Sequence, residues 1–412
     1  MSTRVRRLTG AGTAVAAAVV FSAASLIGQT PAARPAAAPA AAPKAATAPV
    51  KEDLSVIGYV AGYKAPRTPW GDPDLQGVWN GNDLQGVPTA RAATVGTRML
   101  LNDDEFRQRV AQRDRTVETD NLDFDLEESE KFDAMGAVGG PVSPPPHWLE
   151  RSKNVSRLSS FLIEPADGRM PATTPAAQAA AQARQQAQAA RRATLQGREA
   201  DSYTDRSNYD RCISNGILNS VTPKIYNSGN RIVQGPGWLA FSNEMIHETR
   251  VIPTDGRKNV GGAIKSWMGN SVGHWEGDTL VVETRHLNSQ SLIQNAVLSD
   301  VGVVIERFTL ADANTLDYRM TVNDPKSFTA PWTMRMPIPR EDDYGFYEYG
   351  CHEGNYAMVN LLSGSRAEEK RRAEAAARGE AVPVAAPAGG RGGRGGGRGA
   401  GGGAGRGGAP QQ

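Results

Sequence analysis

A two-residue alternation of apolar and polar side chains is the feature that most constrains how this chain can fold. In residues 315–323 every second side chain is apolar, and residues 332–338 repeat the pattern with Trp, Met, Met and Ile. Successive side chains of a strand point to opposite faces of a sheet. The pattern therefore predicts strands that each bury one face.

Further short strands are predicted upstream, over residues 156–163 and between residues 225 and 312. The runs RIVQG, WLAFSN and EMIHETRVI are rich in strand-forming residues and are separated by Gly-Pro-Gly or Asn. In EMIHETRVI, the alternation puts Met245, His247, Thr249 and Val251 on one face of a strand. Hairpins are predicted around residues 276–278 and 311–314. We expect a mainly β fold, an antiparallel meander forming a barrel or a sandwich, with a few short helices and disordered ends.

Two helical segments are also indicated. Asn102 is a suitable N-cap, and the acidic residues after it begin a predicted amphipathic helix over 103–114. Thr174 and Pro175 suit the N-cap and first position of an Ala/Gln/Arg-rich insert over 174–200. This insert lacks an apolar stripe, so we expect a solvated helix or a disordered insert.

The N-terminal end has the order of an export signal. Arg4, Arg6 and Arg7 precede an uncharged apolar run over residues 11–28. We predict a signal peptide over 1–30 and a periplasmic or secreted protein. The alternative is a retained membrane anchor, because a span needs about 20 apolar residues. Residues 31–65 form an Ala/Pro-rich linker in this interpretation.

The C-terminal end is dominated by glycine and arginine. Residues 367–412 begin with a charged stretch and continue into Arg-Gly repeats without an aromatic residue. Such a segment resists ordering, and it has no side chain on which a base could stack. We expect a solvated tail that binds no nucleic acid and at most contacts an anionic envelope surface weakly. The net charge of only +2 also argues against a polyanionic partner.

Residues 66–366 remain as a single folded domain, which holds the only two cysteines, Cys212 and Cys351. In an oxidising compartment such a pair is expected to form a disulfide. The alternative is two separate buried thiols. A Cys351–His352 nucleophile is a further possibility, which a disulfide would abolish.

Several motifs in this domain stand in an order that resembles a known family. They are PDLQGVW, EPADGRMP, YDRC, EMIHETRVIPTDGR, GHWEGDTLVVET and YEYGCHEGNYAM. The chain is similar over about residues 66–366 to a family of uncharacterised exported proteins of acidobacteria and proteobacteria. The Gly77-x-Trp79 sequence and the late meander also resemble lipocalin-like barrels. The resemblance implies export and a barrel, and it brings no activity with it.

Candidate catalytic residues are three histidines that each have a glutamate within two positions. His247 precedes Glu248, His274 precedes Glu276, and His352 precedes Glu353. Because histidine titrates near neutral pH, we predict His247, His274 and His352 as general acids or bases, assisted by Glu248 or Glu353. The alternative is that each histidine is structural. A strand would also point His247 and Glu248 to opposite faces, which weakens a simple dyad.

No metal or cofactor is predicted. The histidines lack the HxH or HExxH spacing of a metal site. The chain also lacks a P-loop, a dinucleotide fingerprint and a GxSxG nucleophile motif. These absences reduce the weight of the common hydrolase and cofactor-dependent folds.

Aromatic residues on the predicted strand faces suggest a ligand cavity. We predict that it is lined by Trp238, Trp275, Tyr318, Trp332 and Tyr349. The favoured function is binding of a small hydrophobic or aromatic molecule. The alternatives are a cofactor-free lyase, hydratase or hydrolase in the same cavity, and a structural envelope protein. Glu244, Arg250, Glu306 and Arg307 are expected to form cross-strand ion pairs.

Overall fold

A computed structural model describes residues 60, 62–122, 149–194, 200–288, 291–293, 296–351 and 356–380. The predicted signal peptide, nearly all of the linker and the Arg-Gly repeats lie outside the described residues. In the described part of the chain no helix is both long and apolar enough to span a membrane.

Strands dominate the fold, and they form two antiparallel sheets. The smaller sheet has the spatial order β1 (Gly77–Asn80), β3 (Gly229–Gly235), β4 (Trp238–Asn243) and β5 (Thr249–Pro253). The larger sheet has the order β2 (Leu162–Glu164), β12 (Trp332–Pro339), β11 (Thr315–Asn323), β10 (Val303–Asp312), β7 (Thr279–Arg285) and β6 (Asn270–Glu276). A separate two-stranded ribbon pairs β8 (Leu292–Ile293) with β9 (Ala296–Val297). The predicted mainly β class is confirmed, with two sheets arranged as in a sandwich.

Tight turns connect consecutive strands where the sequence predicts them. Gly277, with a φ of 62°, occupies the turn between β6 and β7, and Gly237, with a φ of 77°, occupies the turn between β3 and β4. Glycine adopts this left-handed conformation without the steric cost that a Cβ brings. Asp317 faces Pro337 across β11 and β12, which fixes the register of these two alternating strands. Both predicted hairpins are confirmed.

Among the described residues, four α-helices lie outside the sheets: α1 (Asp103–Leu122), α2 (Pro175–Thr194), α3 (Ile217–Val221) and α4 (Ala357–Ala377). Asn102 caps α1 as predicted, because its Oδ1 accepts from Glu105 N at 2.9 Å. Thr174 Oγ1 likewise accepts from Ala177 N at 3.2 Å at the start of α2. The insert is therefore a helix with a largely exposed surface. Helix α4 extends into the predicted tail.

The apolar faces of both sheets meet in one core. Phe241 on β4 packs edge-on against Phe308 on β10, with ring centroids 5.2 Å apart. Tyr318 on β11 completes the cluster at 5.1 Å from Phe308. All three side chains are fully buried. Removal of one such ring by substitution with alanine costs about 3–5 kcal/mol.

A charged group crosses this core. Arg250 on β5 donates from both terminal nitrogens to Glu306 on β10, at 2.6 and 2.7 Å. Tyr318 donates its hydroxyl to the same carboxylate at 2.8 Å. Arg250 and Glu306 were each expected in a cross-strand ion pair; they pair with each other, and the pair joins the two sheets instead of neighbouring strands. Burial opposes the arginine charge, but the attraction and hydrogen bonds of Glu306, together with Tyr318 and Glu248, raise the pKa of Arg250 overall.

Two strand predictions are wrong in extent. The segment EMIHETRVI is not one strand, because residues 245–247 form a short 3-10 turn and β5 begins only at Thr249. Ile246 and His247 have φ values of 59° and 45°, which no strand accommodates. Residues 156–163 contribute only the beginning of β2. Ser159 N and Phe161 N instead donate to Met99 O and Pro88 O, which lie outside the sheet.

Candidate functional site

The turn between β4 and β5 is the most strained part of the described backbone. Ile246 is β-branched, so its left-handed conformation is sterically unfavourable. Residues in such conformations cost about 1–3 kcal/mol each and tend to occur at functional sites. Four of the five described non-glycine residues with positive φ are Ile246, His247, Cys212 and Asn227. All four belong to this turn or to the segments around it, which we call the turn site.

Glu244 is a buried acidic residue of the turn site, with 1% of its surface exposed. Its Oε1 accepts from Asn227 Nδ2 at 2.9 Å and from Tyr347 N at 3.1 Å. Its Oε2 accepts the Tyr344 hydroxyl at 2.6 Å. The carboxylate therefore joins the β4–β5 turn to the loop that follows β12.

A second glutamate shares the same phenol. Glu150 Oε1 lies 2.8 Å from the Tyr344 hydroxyl and also accepts from Asn227 N at 3.0 Å. Its Oε2 accepts from Asn82 Nδ2 at 2.9 Å. In the described part of the chain no lysine or arginine forms an ion pair with Glu150 or Glu244. One phenol proton thus lies between two carboxyl groups.

Burial raises the pKa of Tyr344 far above the usual tyrosine range, and the hydrogen bond to Glu244 raises it further. The phenol therefore keeps its proton at any physiological pH. It acts as a donor to the carboxyl pair and not as an anion. We call Glu150, Glu244 and Tyr344 the shared-phenol cluster.

Three more tyrosines meet beside this cluster. The Tyr209 hydroxyl lies 3.2 Å from the Tyr226 hydroxyl and 3.3 Å from the Tyr349 hydroxyl. It also contacts the sulfur of Met245 at 3.4 Å. Each of the three tyrosines is half-buried. We call Tyr209, Tyr226 and Tyr349 the tyrosine trio.

Burial raises the pKa of Tyr209, and its hydrogen bonds to Tyr226 and Tyr349 add to the effect. Burial likewise raises the pKa of Tyr349. These phenols are neutral hydrogen-bond donors at ordinary pH. Tyr209 and Tyr349 can therefore donate to an acceptor oxygen without a change in their own charge.

His247 and Glu248, predicted as an acid–base residue and its assistant, differ in their exposure. His247 is exposed on the turn, whereas Glu248 is buried. Glu248 accepts hydrogen bonds from the Ser214 and Ser220 hydroxyls and from Asn215 N at 3.1 Å. These contacts fix the loop around α3, so the carboxylate serves as an anchor.

Lys224 lies next to this anchor. Burial lowers its pKa to about 7, and the nearby Glu248 partly counteracts the effect. Lys224 Nζ donates to Thr222 O at 2.7 Å and to the carbonyl of Asn219. The amine thus binds carbonyl groups at the end of α3, which is a capping role.

His274 lies apart from the turn, on the exposed face of β6. Its Nε2 is 3.2 Å from Glu276 Oε1, and Glu276 also pairs with Arg307. His352 and Glu353 fall outside the described residues. Within the described ranges, no group of three His, Cys, Asp or Glu side chains is arranged to hold a metal ion.

The five predicted ligand-binding aromatics lie in different places. Tyr318 and Trp332 are fully buried core residues, and Trp332 packs edge-on against Phe328 at 5.9 Å. Trp275 packs at the margin of the core, and Trp238 is 40% exposed beside Gly235. Only Tyr349 belongs to the tyrosine trio.

The predicted disulfide between Cys212 and Cys351 is present and joins the two loops that carry Tyr209 and Tyr349. The sequence analysis did not identify Tyr209, Tyr226, Tyr344 or Glu150 as site residues, and it treated Glu244 only as an ion-pair partner. One signal was available. Tyrosines stand in the predicted loop segments YDRC, YN and DDYGFYEYG. Residues in loops contribute less to the core than residues in strands, so large side chains there indicate a functional role.

No protein-family model, curated protein or solved structure matches this chain. The chemistry of the turn site is therefore the basis for a functional assignment.

Proposed function

We propose that this chain is an exported protein of the family it resembles, and that it binds a small hydrophobic or aromatic molecule at the turn site. The observation that carries the proposal is the convergence of three half-buried phenol hydroxyls at Tyr209. Phenol rings supply apolar contact area, and their hydroxyls supply orientation. Few but well-placed polar groups among apolar ones are typical of ligand sites.

The number of hydroxyl protons indicates what the ligand carries. Three hydroxyls hold three protons, and the two contacts within the trio use two of them. When Tyr226 and Tyr349 both donate to Tyr209, the remaining proton is that of the Tyr209 hydroxyl, whose acceptor is Met245 Sδ at 3.4 Å, and a thioether is a weak acceptor. A carbonyl, carboxylate or phenolate oxygen is a better acceptor. We therefore propose an aromatic ligand with such an oxygen.

The predicted interior cavity is less favourable as a site than the turn. Tyr318 and Trp332 are fully buried and pack against other rings. A ligand between the sheets would have to displace them, and a close-packed core resists such displacement. The trio is reached from the surface without this cost.

We also propose a barrel-like arrangement of the two sheets. Trp79 on β1 forms an antiparallel bridge with Arg340, directly after β12, and Glu341 N donates to Val78 O at 2.9 Å. At the other edge, a Cβ on Gly273 of β6 would lie 3.2 Å from the side chain of Ile252 on β5. These contacts support neighbouring sheet edges on both sides. The trio then lies at one end of the barrel.

The binding proposal is tested with 4-nitrophenol as a probe, by calorimetry on the full chain. We expect binding, and about five- to tenfold weaker binding for the Tyr209→Phe variant, which loses the central hydroxyl. Nitrobenzene, which lacks the phenolic oxygen, should bind more weakly than 4-nitrophenol. Tyr203→Phe is the matched control, because Tyr203 is an exposed tyrosine. Equal binding of both probes, or an unaffected Tyr209→Phe variant, would contradict the proposal.

A second candidate function is cofactor-free acid–base catalysis by a lyase, hydratase or hydrolase. The observation in its favour is the shared-phenol cluster, where one phenol proton lies between Glu150 and Glu244. A group that can accept or release a proton beside a ligand site is the minimum for such catalysis. In this proposal the glutamates, and not His274, act on the substrate.

Hydrolysis of 4-nitrophenyl acetate, followed by nitrophenolate absorbance, tests the catalytic alternative. The Glu244→Gln variant should lose most of the turnover, while His274→Ala should retain it. Loss of turnover in His274→Ala with normal turnover in Glu244→Gln would reject the shared-phenol cluster as the catalytic group.

A further inference from the structure

We infer that the Cys212–Cys351 disulfide positions the tyrosines of the ligand site. Its reduction separates the hydroxyls of the tyrosine trio while the two sheets stay folded. This inference rests on the proposed binding function. It adds redox regulation to that site, since reduction by a dithiol would weaken ligand binding.

Each cysteine is tied to one tyrosine of the trio by a short turn. Cys212 N donates to Tyr209 O at 2.9 Å, and Cys351 N donates to Tyr349 O at 2.7 Å. The two cysteine Cα atoms are 5.9 Å apart. The disulfide therefore sets the separation of the two turns, and with it the separation of the two phenols.

The two sides of the trio are held differently. Tyr209 also contacts Tyr226 and Met245, so hydrogen bonds fix it from the side of the small sheet. For Tyr349, the side-chain interactions described outside its own turn are the 3.3 Å contact with the Tyr209 hydroxyl and a weaker one with Tyr226, both within the trio. Phenol contacts of this length are too weak to order a loop end by themselves. Tyr349 thus depends on the disulfide for its position.

Tyr344, five residues earlier in the same loop, does not depend on it. Glu244 and Glu150 both lie within hydrogen-bond distance of its hydroxyl, and Tyr347 N also donates to Glu244. The loop is thereby attached to the β4–β5 turn before it reaches Tyr349. Reduction should free Tyr349 and leave Tyr344 in place.

The chemical step is a thiol–disulfide exchange. A dithiol reductant gives two electrons and two protons to the Cys212–Cys351 bond, which becomes two thiols, and the reductant becomes a cyclic disulfide. Reoxidation reverses the step. Nothing in the two sheets takes part in it, because both cysteines lie in loops.

The experiment compares the oxidised full chain, the same chain reduced with dithiothreitol, and the Cys212→Ser/Cys351→Ser double variant. Tyrosine ionisation is followed by absorbance at 295 nm as the pH is raised, and circular dichroism reports the sheets. We expect Tyr349 to ionise at lower pH after reduction, with Tyr344 unchanged. Tyr349→Phe in the oxidised chain identifies the Tyr349 component, and Tyr344→Phe identifies the other.

Binding of 4-nitrophenol is measured on the same samples. Reduction should weaken it by about five- to tenfold, the same loss as in oxidised Tyr349→Phe, and should have no effect on that variant. If neither form of the wild-type chain binds the probe, the proposed function fails, but the Tyr349 titration still decides the positioning role. An unchanged Tyr349 titration after reduction would overturn the inference.

A second variant covers the case in which the double variant does not fold. Two glycines inserted after Gly350 keep the disulfide but detach Tyr349 from Cys351. This variant should show the ionisation and binding changes of the reduced protein. Wild-type behaviour in both measurements would also overturn the inference.

Discussion

The core and the turn site each contain a buried glutamate that accepts a hydrogen bond from a tyrosine, and they differ in what balances the charge. In the core, Glu306 accepts hydrogen bonds from the Tyr318 hydroxyl and from both terminal nitrogens of Arg250. In the turn site, Glu244 accepts a hydrogen bond from the Tyr344 hydroxyl, which also lies within hydrogen-bond distance of Glu150. In the core, the positive charge of Arg250 balances the Glu306 carboxylate, and the Tyr318 hydroxyl donates a further hydrogen bond to it. In the turn site, hydrogen-bond donors satisfy Glu244, and in the described part of the chain no cation balances its charge.

The largest effect is expected for Glu306→Gln, which leaves the charge of Arg250 buried without a counterion. We expect a loss of about 3–5 kcal/mol in the free energy of unfolding, measured by urea denaturation. The double variant Arg250→Met/Glu306→Leu is the control, since it removes both charges and should be less destabilised than the single variant. A single variant as stable as the wild type would show that the charges do not interact strongly.

The next largest effect is expected at high pH. Burial raises the pKa of Tyr318 well above 10, and the neighbouring Glu306 adds to the shift. Above about pH 10 the unfolded state loses this proton and the folded state keeps it, so the folded state binds more protons. Stability therefore falls as pH rises, by up to about 1.4 kcal/mol per pH unit for this tyrosine.

Urea denaturation at pH 9, 10 and 11 measures this loss. Tyr318→Phe should lessen the pH dependence, although it also leaves Glu306 with one hydrogen bond fewer. A pH dependence equal to that of the wild type would assign the alkaline effect to other tyrosines.

A smaller effect is expected for Glu244→Gln in the turn site. Glutamine keeps an acceptor oxygen for Asn227 and Tyr347, and its amide can donate to the Tyr344 oxygen. No buried cation loses its partner. We expect a loss of about 1 kcal/mol or less in urea denaturation, and Glu150→Gln is the matched variant. A loss as large as that of Glu306→Gln would remove the distinction between the two regions.

The smallest effect is expected for His274→Ala. The His274 side chain is exposed, and its contact with Glu276 is a surface pair, a class that contributes little. We expect an unchanged urea midpoint and unchanged 4-nitrophenol binding. A reduced affinity in this variant would place the ligand on the exposed face of β6, away from the turn site.

The strands could be predicted from local pattern because their burial follows that pattern. The inward residues of β11, from Leu316 to Val322, are the apolar members of a regular alternation, and all are fully buried. Asn102 and Thr174 likewise predict the starts of α1 and α2, because their side chains are suited to cap a helix N-terminus. The disulfide followed from cysteine number, since only one intramolecular pairing was possible.

The turn site could not be predicted in the same way. Met245 to Val251 continue an apparent alternation, and nothing in Ile246 marks it as left-handed, because β-branched residues favour extended backbone. The trio brings together tyrosines separated by 17 and 140 positions, and such proximity is a property of the tertiary fold. Loop tyrosines were the one available signal, and they do not specify partners.

The Arg250–Glu306 pair also has a consequence for alternative folds of the same chain. A shift of one residue in the pairing of β5 or β10 would turn one partner to the outer face of its sheet. The other partner would then remain in the apolar core as an isolated ion, which costs several kcal/mol. A slipped sheet with equally good apolar contacts is thus penalised. The pair therefore favours the native register of β5 and β10 over registers shifted by one residue.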